Sequence, residues 1–368
     1  MRERADEIEK ARRLPPDLAK RFAREGLCRL LVPEAYGGLE VPPAQMLATV
    51  EALAEADGSA AWCVFIYATS GSLLAYLPAS EATAVFASPD TILAGVFAPM
   101  GKAVAEGDGY RVNGRWSWGS GSENADWIMG GCRIEREGQI EATKSGAPIP
   151  RLLLAPRDDV TFFDTWNVSG LCGTGSTDFA MENVFVPAGR AAGLTVDESL
   201  ARPLYRFPNF ALLALGIAGV AMGLARAAIE ELVALAGAKT PQGASRSLAS
   251  RPHTQSEVAR SEAALRAARA FLFEVVEEAW SAAQGKDRLP IDARRDLRLA
   301  TTWATRTSAD VVDAMYHLGG GSSVHRTSKL QRVFRDVHVA TQHMMVAPPT
   351  YELTGRLLLG LETDATFL

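Results

Sequence analysis

Tyr110-Arg-Val-Asn-Gly-Arg-Trp-Ser-Trp118 alternates apolar and polar side chains with the period of a strand. Inside it, Asn113-Gly114 is the strongest short-range hairpin signal. The stretch belongs to a region, Thr91 to about Arg190, of short alternating runs broken by Gly, Asn and Asp. Strands are expected at Ile92–Phe97, Trp116–Ser120, Asp126–Cys132, Leu152–Ala155 and Thr177–Phe185, forming a small barrel or sandwich that Pro187 ends. Segment 135–150, polar and punctuated by Gly and Pro, reads as a surface loop.

On either side the period changes to that of helices. Toward the N-terminus, Pro15-Pro16 and Gly26 bracket a helix at 16–25 around Leu18 and Phe22. Ala44–Ala56 and Ser59–Tyr76 follow, the second apolar nearly all round and so expected to be buried. After Phe207 helices are expected at 209–236, 250–284, 290–317, 327–341 and 348–359, three of them long enough for a bundle. The division is therefore a helical unit at 1–90, a strand-rich unit at 91–200 and a helical bundle at 201–368, an α+β chain. Within the bundle, loop 237–249 (GAKTPQGASRSLA) is long, polar and basic, and Gly319-Gly320-Gly321 breaks the last long helix. Both could receive phosphates or could be plain turns.

Composition narrows the function. With 38 Lys plus Arg against 43 Asp plus Glu, the net charge of -5 leaves no surplus to neutralise a phosphate backbone, so nucleic acid is not an expected partner. The cysteines Cys28, Cys63, Cys132 and Cys172 lack zinc-site spacing and read as reduced thiols. The charged N-terminus has no secretory apolar region, which points to the cytoplasm. Phe210–Ala225 is uncharged but shorter than the roughly 20 residues a bilayer requires, so a buried bundle helix is expected and no membrane.

Three segments, in order, carry a family resemblance: Asn113-Gly-Arg-Trp-Ser-Trp118-Gly-Ser120-Gly121; Trp166-Asn-Val-Ser-Gly170-Leu-Cys-Gly173-Thr-Gly175-Ser176 with Val184-Phe-Val-Pro187; and Gly319-Gly320 with Leu330-Gln331-Arg332-Val-Phe-Arg335-Asp336. Along essentially its whole length the chain resembles the acyl-CoA dehydrogenase superfamily, and most closely its flavin-dependent monooxygenase branch. The resemblance implies a helical N-terminal domain, a central β-barrel and a C-terminal helical bundle. It also implies a flavin, FAD or FMN, taken up as reduced co-substrate from a separate reductase, and a homotetramer in which a neighbouring subunit contacts the phosphates.

Residue by residue, the resemblance places Trp118 and Ser120 beside the isoalloxazine. Two apart on one strand, they are expected on one face, the indole supplying flat apolar surface and the hydroxyl a partner for N5. Without the resemblance, Trp116, Trp118 and Trp127 read as strand-region core and Ser120 as a turn residue. Phe97 and Ala98 stand in a shortened flavin loop, Val96-Phe-Ala-Pro-Met-Gly-Lys-Ala103, that lacks the family's acidic and serine positions. Arg246, Gly319 and Gly320 match the phosphate contacts, although a loop arginine is as readily a solvated one. Cys172 replaces the second segment's usual arginine and reads as a small filler.

The branch is chosen by a missing base. Dehydrogenation of an acyl thioester requires a carboxylate over the substrate α-carbon. The expected region after Asp336 reads Val337-His-Val-Ala-Thr-Gln-His343-Met-Met345 without an acid, and residues 203–225 contain none. Glu352 is the nearest candidate. His343 stands almost where the acid would be, and its pKa near neutrality suits proton transfer. The function expected is hydroxylation of a small aromatic or heteroaromatic molecule through a C4a-hydroperoxyflavin, with His343 and Ser120 catalytic. The alternatives are an acyl-CoA dehydrogenase with an unusual base and a non-catalytic flavin-fold protein. No NAD fingerprint accompanies a strand and helix, consistent with an external reductase. All five histidines lie after residue 250, which counts against a phenol site built on N-terminal histidines.

Overall fold

A computed structural model describes residues 1–142, 146, 148–193, 200–285, 288–366 and 368. Parts of the expected loop 135–150 therefore lie outside the described residues. Proline sets the helix starts: α2 (Pro16–Arg24) and α3 (Pro43–Ala54) each carry Pro in the first turn, where its missing N–H costs nothing. The short α1 (Ala5–Ala11) precedes them. The helix α4 (Gly58–Gly71) is capped by Asp57, whose carboxylate accepts the Ala60 N–H at 2.8 Å, and it is buried on nearly every side. A 3-10 turn (Ser72–Tyr76) and α5 (Ala79–Val85) lead into the strands.

The strands are β1 (Leu93–Glu106), β2 (Gly109–Gly119), β3 (Trp127–Arg136), β4 (Gln139–Ile140), β5 (Pro150–Pro156), β6 (Thr161–Phe163), β7 (Thr177–Pro187) and β8 (Ala191–Ala192). They form one sheet in the order β6-β7-β2-β1-β3-β5-β8, with β4 on β3. Among the described residues no ladder joins β6 to β8, so the barrel is open. Its core stacks Trp116 on Phe179, both fully buried, at 5.3 Å between centroids.

Asn113-Gly114 is not the hairpin turn. The turn between β1 and β2 is at Gly107-Asp108, and Asn113-Gly114 sits mid-strand at a bulge against β7. Asn113 Oδ1 accepts the Asn183 N–H at 2.8 Å, and a Cβ on Gly114 would lie 2.7 Å from the Gly101 backbone. The dipeptide answers tertiary packing, not turn geometry.

The C-terminal part, after residue 200, contains α6 (Pro203–Arg206), α7 (Asn209–Ala238), α8 (Pro252–Ala283), α9 (Ile291–Gly319), α10 (Lys329–Ala340) and α11 (Pro349–Leu358). Burial, not length, separates the apolar stretch from a membrane span. At 30 residues α7 is long and apolar enough to cross a bilayer, as is the Gly58–Tyr76 helix, but 94% of each apolar window is buried inside the protein. Close contact accounts for its glycines: a Cβ on Gly223 would lie 2.3 Å from the Glu51 carbonyl of α3.

Candidate active site

Within the first signature β2 parts from β1 while it stays paired with β7. The β1–β2 ladder runs out to Lys102↔Asn113, and continuing that register would set Phe97 opposite Trp118. Both strands are irregular there: β1 shifts register against β3 between Val96 and Gly101, and β2 shifts against β7 between Trp116 and Gly119. Bulges re-aim side chains and free backbone groups. Trp118 adopts φ 65°, strained for a bulky residue, and its side chain is 70% exposed. Ser120 is only 6% exposed. The two residues therefore do not share an environment as strand alternation predicts, because the bulge breaks the period between them.

These features fit a flavin ring. An exposed indole held in a strained backbone supplies a flat apolar surface. Phe97 and exposed Ala98 flank the gap, with Phe97 tilted against Phe210 of α7 at 6.5 Å. Ser120 supplies the polar atom. Its Oγ accepts the Trp62 indole N–H at 3.1 Å and is 2.7 Å from Ser176 Oγ. Ser176 Oγ is 2.7 Å from Thr174 Oγ1, and Thr174 Oγ1 donates to the Leu171 carbonyl at 2.8 Å. Leu171 N–H in turn donates to Asp336 Oδ1 at 2.6 Å.

That chain joins the three sequence signatures. Ser120 belongs to the first, Leu171, Thr174 and Ser176 to the second, and Asp336 to the third. Gly170 permits the junction, since a Cβ there would lie 2.3 Å from the Arg335 carbonyl. Arg335 bonds the Ser169 carbonyl and Glu9 of α1, and Arg332 bonds Glu9 and Asp6. Burial pushes the Asp336 carboxyl up to about 7, against the Leu171 hydrogen bond that lowers it. Cys172 is half-buried, its thiol bonding the Val168 carbonyl at 3.3 Å and pushed up by burial.

His343 lies in the turn after α10, 6.0 Å from the Trp62 ring between centroids. The same indole that serves Ser120 thus borders His343. Burial, with a smaller effect of the Arg298 charge, lowers the imidazole to about 4. The expectation of a pKa near neutrality is corrected: the ring is neutral at pH 7. Met345 N–H donates to His343 Nδ1 at 3.3 Å, so the proton resides on Nε2, which is a donor. Arg298 holds that turn, bonding the Met345 carbonyl at 2.7 Å.

Arg246, Gly319 and Gly320 lie away from these residues, on the loop after α7 and at the turn that ends α9. Arg246 is exposed on the loop after α7 and pairs with no described residue. Lys239, at the start of that loop, donates to the Gly319 carbonyl at 2.6 Å and so ties the loop to the glycine turn, where Gly320 takes φ 53°. Phe210 marks the other end of α7. At roughly 1.5 Å per residue, the 30 residues of the helix separate its ends by about 45 Å. The two groups of residues therefore lie toward opposite ends of α7.

Sequence reasoning missed Trp62, Thr174 and Lys239. Trp62 lay in a helix apolar all round, and the available signal was its indole N–H, which must find a partner when buried. Glu352 is exposed on the first turn of α11, a poor place for a base. Among the described residues no three His, Cys, Asp or Glu side chains gather as a metal site.

Comparison with known proteins identifies the family. Residues 1–82 match the N-terminal domain of acyl-CoA dehydrogenase and residues 215–348 match its C-terminal domain. The indole-3-acetate monooxygenase of Pseudomonas putida is 35% identical over 361 residues, 98% of this chain and 90% of that protein. The flavin-dependent monooxygenase oxygenase subunit HsaA of Rhodococcus jostii is 29% identical, over 100% of this chain and 97% of that one. The solved structure of XiaF from Streptomyces sp. in complex with FADH2 and glycerol superposes with a TM-score of 0.88 at 26% identity, covering 99% of this chain and 93% of that one. With both terminal domains matched and the likeness running from end to end, the chain belongs to the acyl-CoA dehydrogenase superfamily, in its branch of flavin-dependent monooxygenases.

Proposed function

We propose that this chain is the oxygenase component that hydroxylates a small aromatic or heteroaromatic molecule, an indole acid being the first class to try, with reduced flavin delivered by a separate reductase. Reduced flavin, when bound, supplies two electrons and the activation of dioxygen. Trp118, Phe97 and Ala98 would border the ring system, with Ser120 at N5. His343 is read as a catalytic group that presents its Nε2–H to substrate or to oxygen. As a neutral donor it orients an acceptor without introducing a charge. The supporting observation is that Trp62 borders both Ser120 and His343, so the two groups flank one place.

Arg246, with Gly319 and Gly320, to whose turn Lys239 ties the Arg246 loop, would take the flavin phosphates of a neighbouring chain. Their distance along α7 from Phe97 supports this, and so do the exposed apolar side chains Trp303, Leu358 and Leu359. A cytoplasmic homotetramer, with working domain limits at residues 90 and 200, is the assembly we infer.

The test is to supply reduced flavin and oxygen with a panel of indole acids and other arenes, measuring hydroxylated product against hydrogen peroxide. His343→Ala and His343→Asn should lower the product share at least tenfold while flavin still binds. An unchanged product share in both variants would remove His343 from the site.

A further inference from the structure

We propose that Thr174 and Ser176 are positioning residues that fix the direction of the Ser120 hydroxyl proton and thereby favour reduced over oxidised flavin. The inference rests on the reading that Ser120 faces flavin N5.

Each hydroxyl has a single proton to give. Thr174 Oγ1 gives its proton to the Leu171 carbonyl at 2.8 Å, so toward Ser176 it can only accept. Ser176 therefore donates to Thr174 and must accept from Ser120, 2.7 Å away. Ser120 has then spent its proton, and one lone pair already receives the Trp62 N–H. What remains on Ser120 is one lone pair and no donor. Ser120, Ser176 and Thr174 are 6%, 4% and 1% exposed, which leaves little room for water to change the order.

The two forms of flavin differ in what N5 offers. Reduced flavin carries a hydrogen on N5 and donates, whereas oxidised flavin has a bare nitrogen that accepts. An acceptor-only Ser120 matches the first and meets the second with two lone pairs face to face. Turning all three hydroxyls round would make Ser120 a donor. That reversal sacrifices the Thr174 bond to Leu171, although the Leu171 carbonyl keeps the Thr174 N–H at 3.1 Å and the Trp166 indole N–H at 3.2 Å. The order is thus a bias of about one neutral hydrogen bond, on the order of five-fold in relative affinity.

The variants turn the order in different ways. In Thr174→Val the Ser176 proton loses its acceptor and turns to Ser120, which must then point its own proton outward. In Ser176→Ala the Ser120 proton is simply released. Thr174→Ser keeps the anchoring hydroxyl.

The experiment titrates the full-length protein with FAD and FMN, oxidised, and with the reduced forms anaerobically, reading flavin fluorescence and absorbance. The ratio of oxidised to reduced Kd should be highest in wild type and Thr174→Ser. It should fall about five-fold or more in Thr174→Val and to an intermediate value in Ser176→Ala. Urea midpoints are measured in parallel, and Ser176→Ala carries the test if Thr174→Val does not fold. If Ser120→Ala shifts the ratio while Thr174→Val and Ser176→Ala leave it within two-fold of wild type, the directional role is overturned and the N5 reading survives. If Ser120→Ala alters neither affinity, the N5 reading itself fails and the proposal falls with it.

Discussion

Trp62 donates its indole N–H to Ser120 Oγ at 3.1 Å while its ring lies 6.0 Å from the His343 imidazole. A single side chain of α4 therefore borders the end of β2 and the turn after α10. Trp62→Phe keeps an aromatic ring but removes the N–H together with part of the buried indole. We expect about 1–3 kcal/mol less stability by urea unfolding, the lost hydrogen bond and the smaller ring acting together, and a lower share of hydroxylated product. Trp62→Ala, which leaves a cavity, should cost about 3–5 kcal/mol. Equal stability of Trp62→Phe and wild type would mean that neither the bond to Ser120 nor the larger ring stabilises the fold.

His343 makes stability depend on pH in a defined window. Its folded value of about 4 lies below the ordinary 6.5, so between these values the unfolded chain binds more protons than the folded one. This contribution, at most about 3 kcal/mol, is complete above pH 6.5 and is lost as the pH falls toward 4. His343→Gln should flatten the difference between urea midpoints at pH 4.5 and 7.5. A variant that loses stability on acidification as steeply as wild type would refute the depressed value.

Asp336 acts with the opposite sign. Burial, together with the nearby Asp57, raises it to about 7, above its unfolded value near 4. Its stabilising contribution is complete below about pH 4 and is lost as the pH rises through 7, where a buried carboxylate must ionise. Asp336→Asn retains an oxygen for the Leu171 N–H and should flatten the decline between pH 5 and 8. Asp57, itself raised to about 6 by burial, leaves a residual slope. Asp336→Ala, which orphans the Leu171 N–H, should be less stable than wild type at both pH values by about 1–3 kcal/mol.

Helices were the legible part of this chain because their signals are local. Pro16 and Pro43 open α2 and α3, and the periodic apolar stripes mark the bundle. The site was legible only as scattered residues. Ser120, Ser176 and Asp336 stand in separate signatures, and nothing in their spacing says that hydrogen bonds link them through Thr174 and Leu171. Trp62 was hidden by the same cause, since its partner is 58 residues away. At Asn113-Gly114 the local rule pointed to a turn and the packing of Gly114 against Gly101 and Trp116 overrode it. Trp118 shows the same conflict, its strained φ breaking an alternation that composition alone supported.

The separation along α7 of the residues proposed for the flavin ring and for its phosphates is tested by subunit mixing. If Ser120 of one chain and Arg246 of another serve one flavin, the two residues complement in trans. Arg246→Glu reverses the charge offered to a phosphate and should weaken flavin binding about ten- to a hundred-fold, the range of a charge-assisted hydrogen bond. Ser120→Ala should disable the site from the ring side. Each homomeric variant is then poorly active. When both chains are co-expressed with different tags and the hybrid is isolated, random assembly gives about one site in four with both residues native, since each comes from an independent chain. Recovered product formation near that share, absent when the separately purified variants are mixed without exchange, is the expected result. No recovery in a verified hybrid would place both residues' functions within one chain.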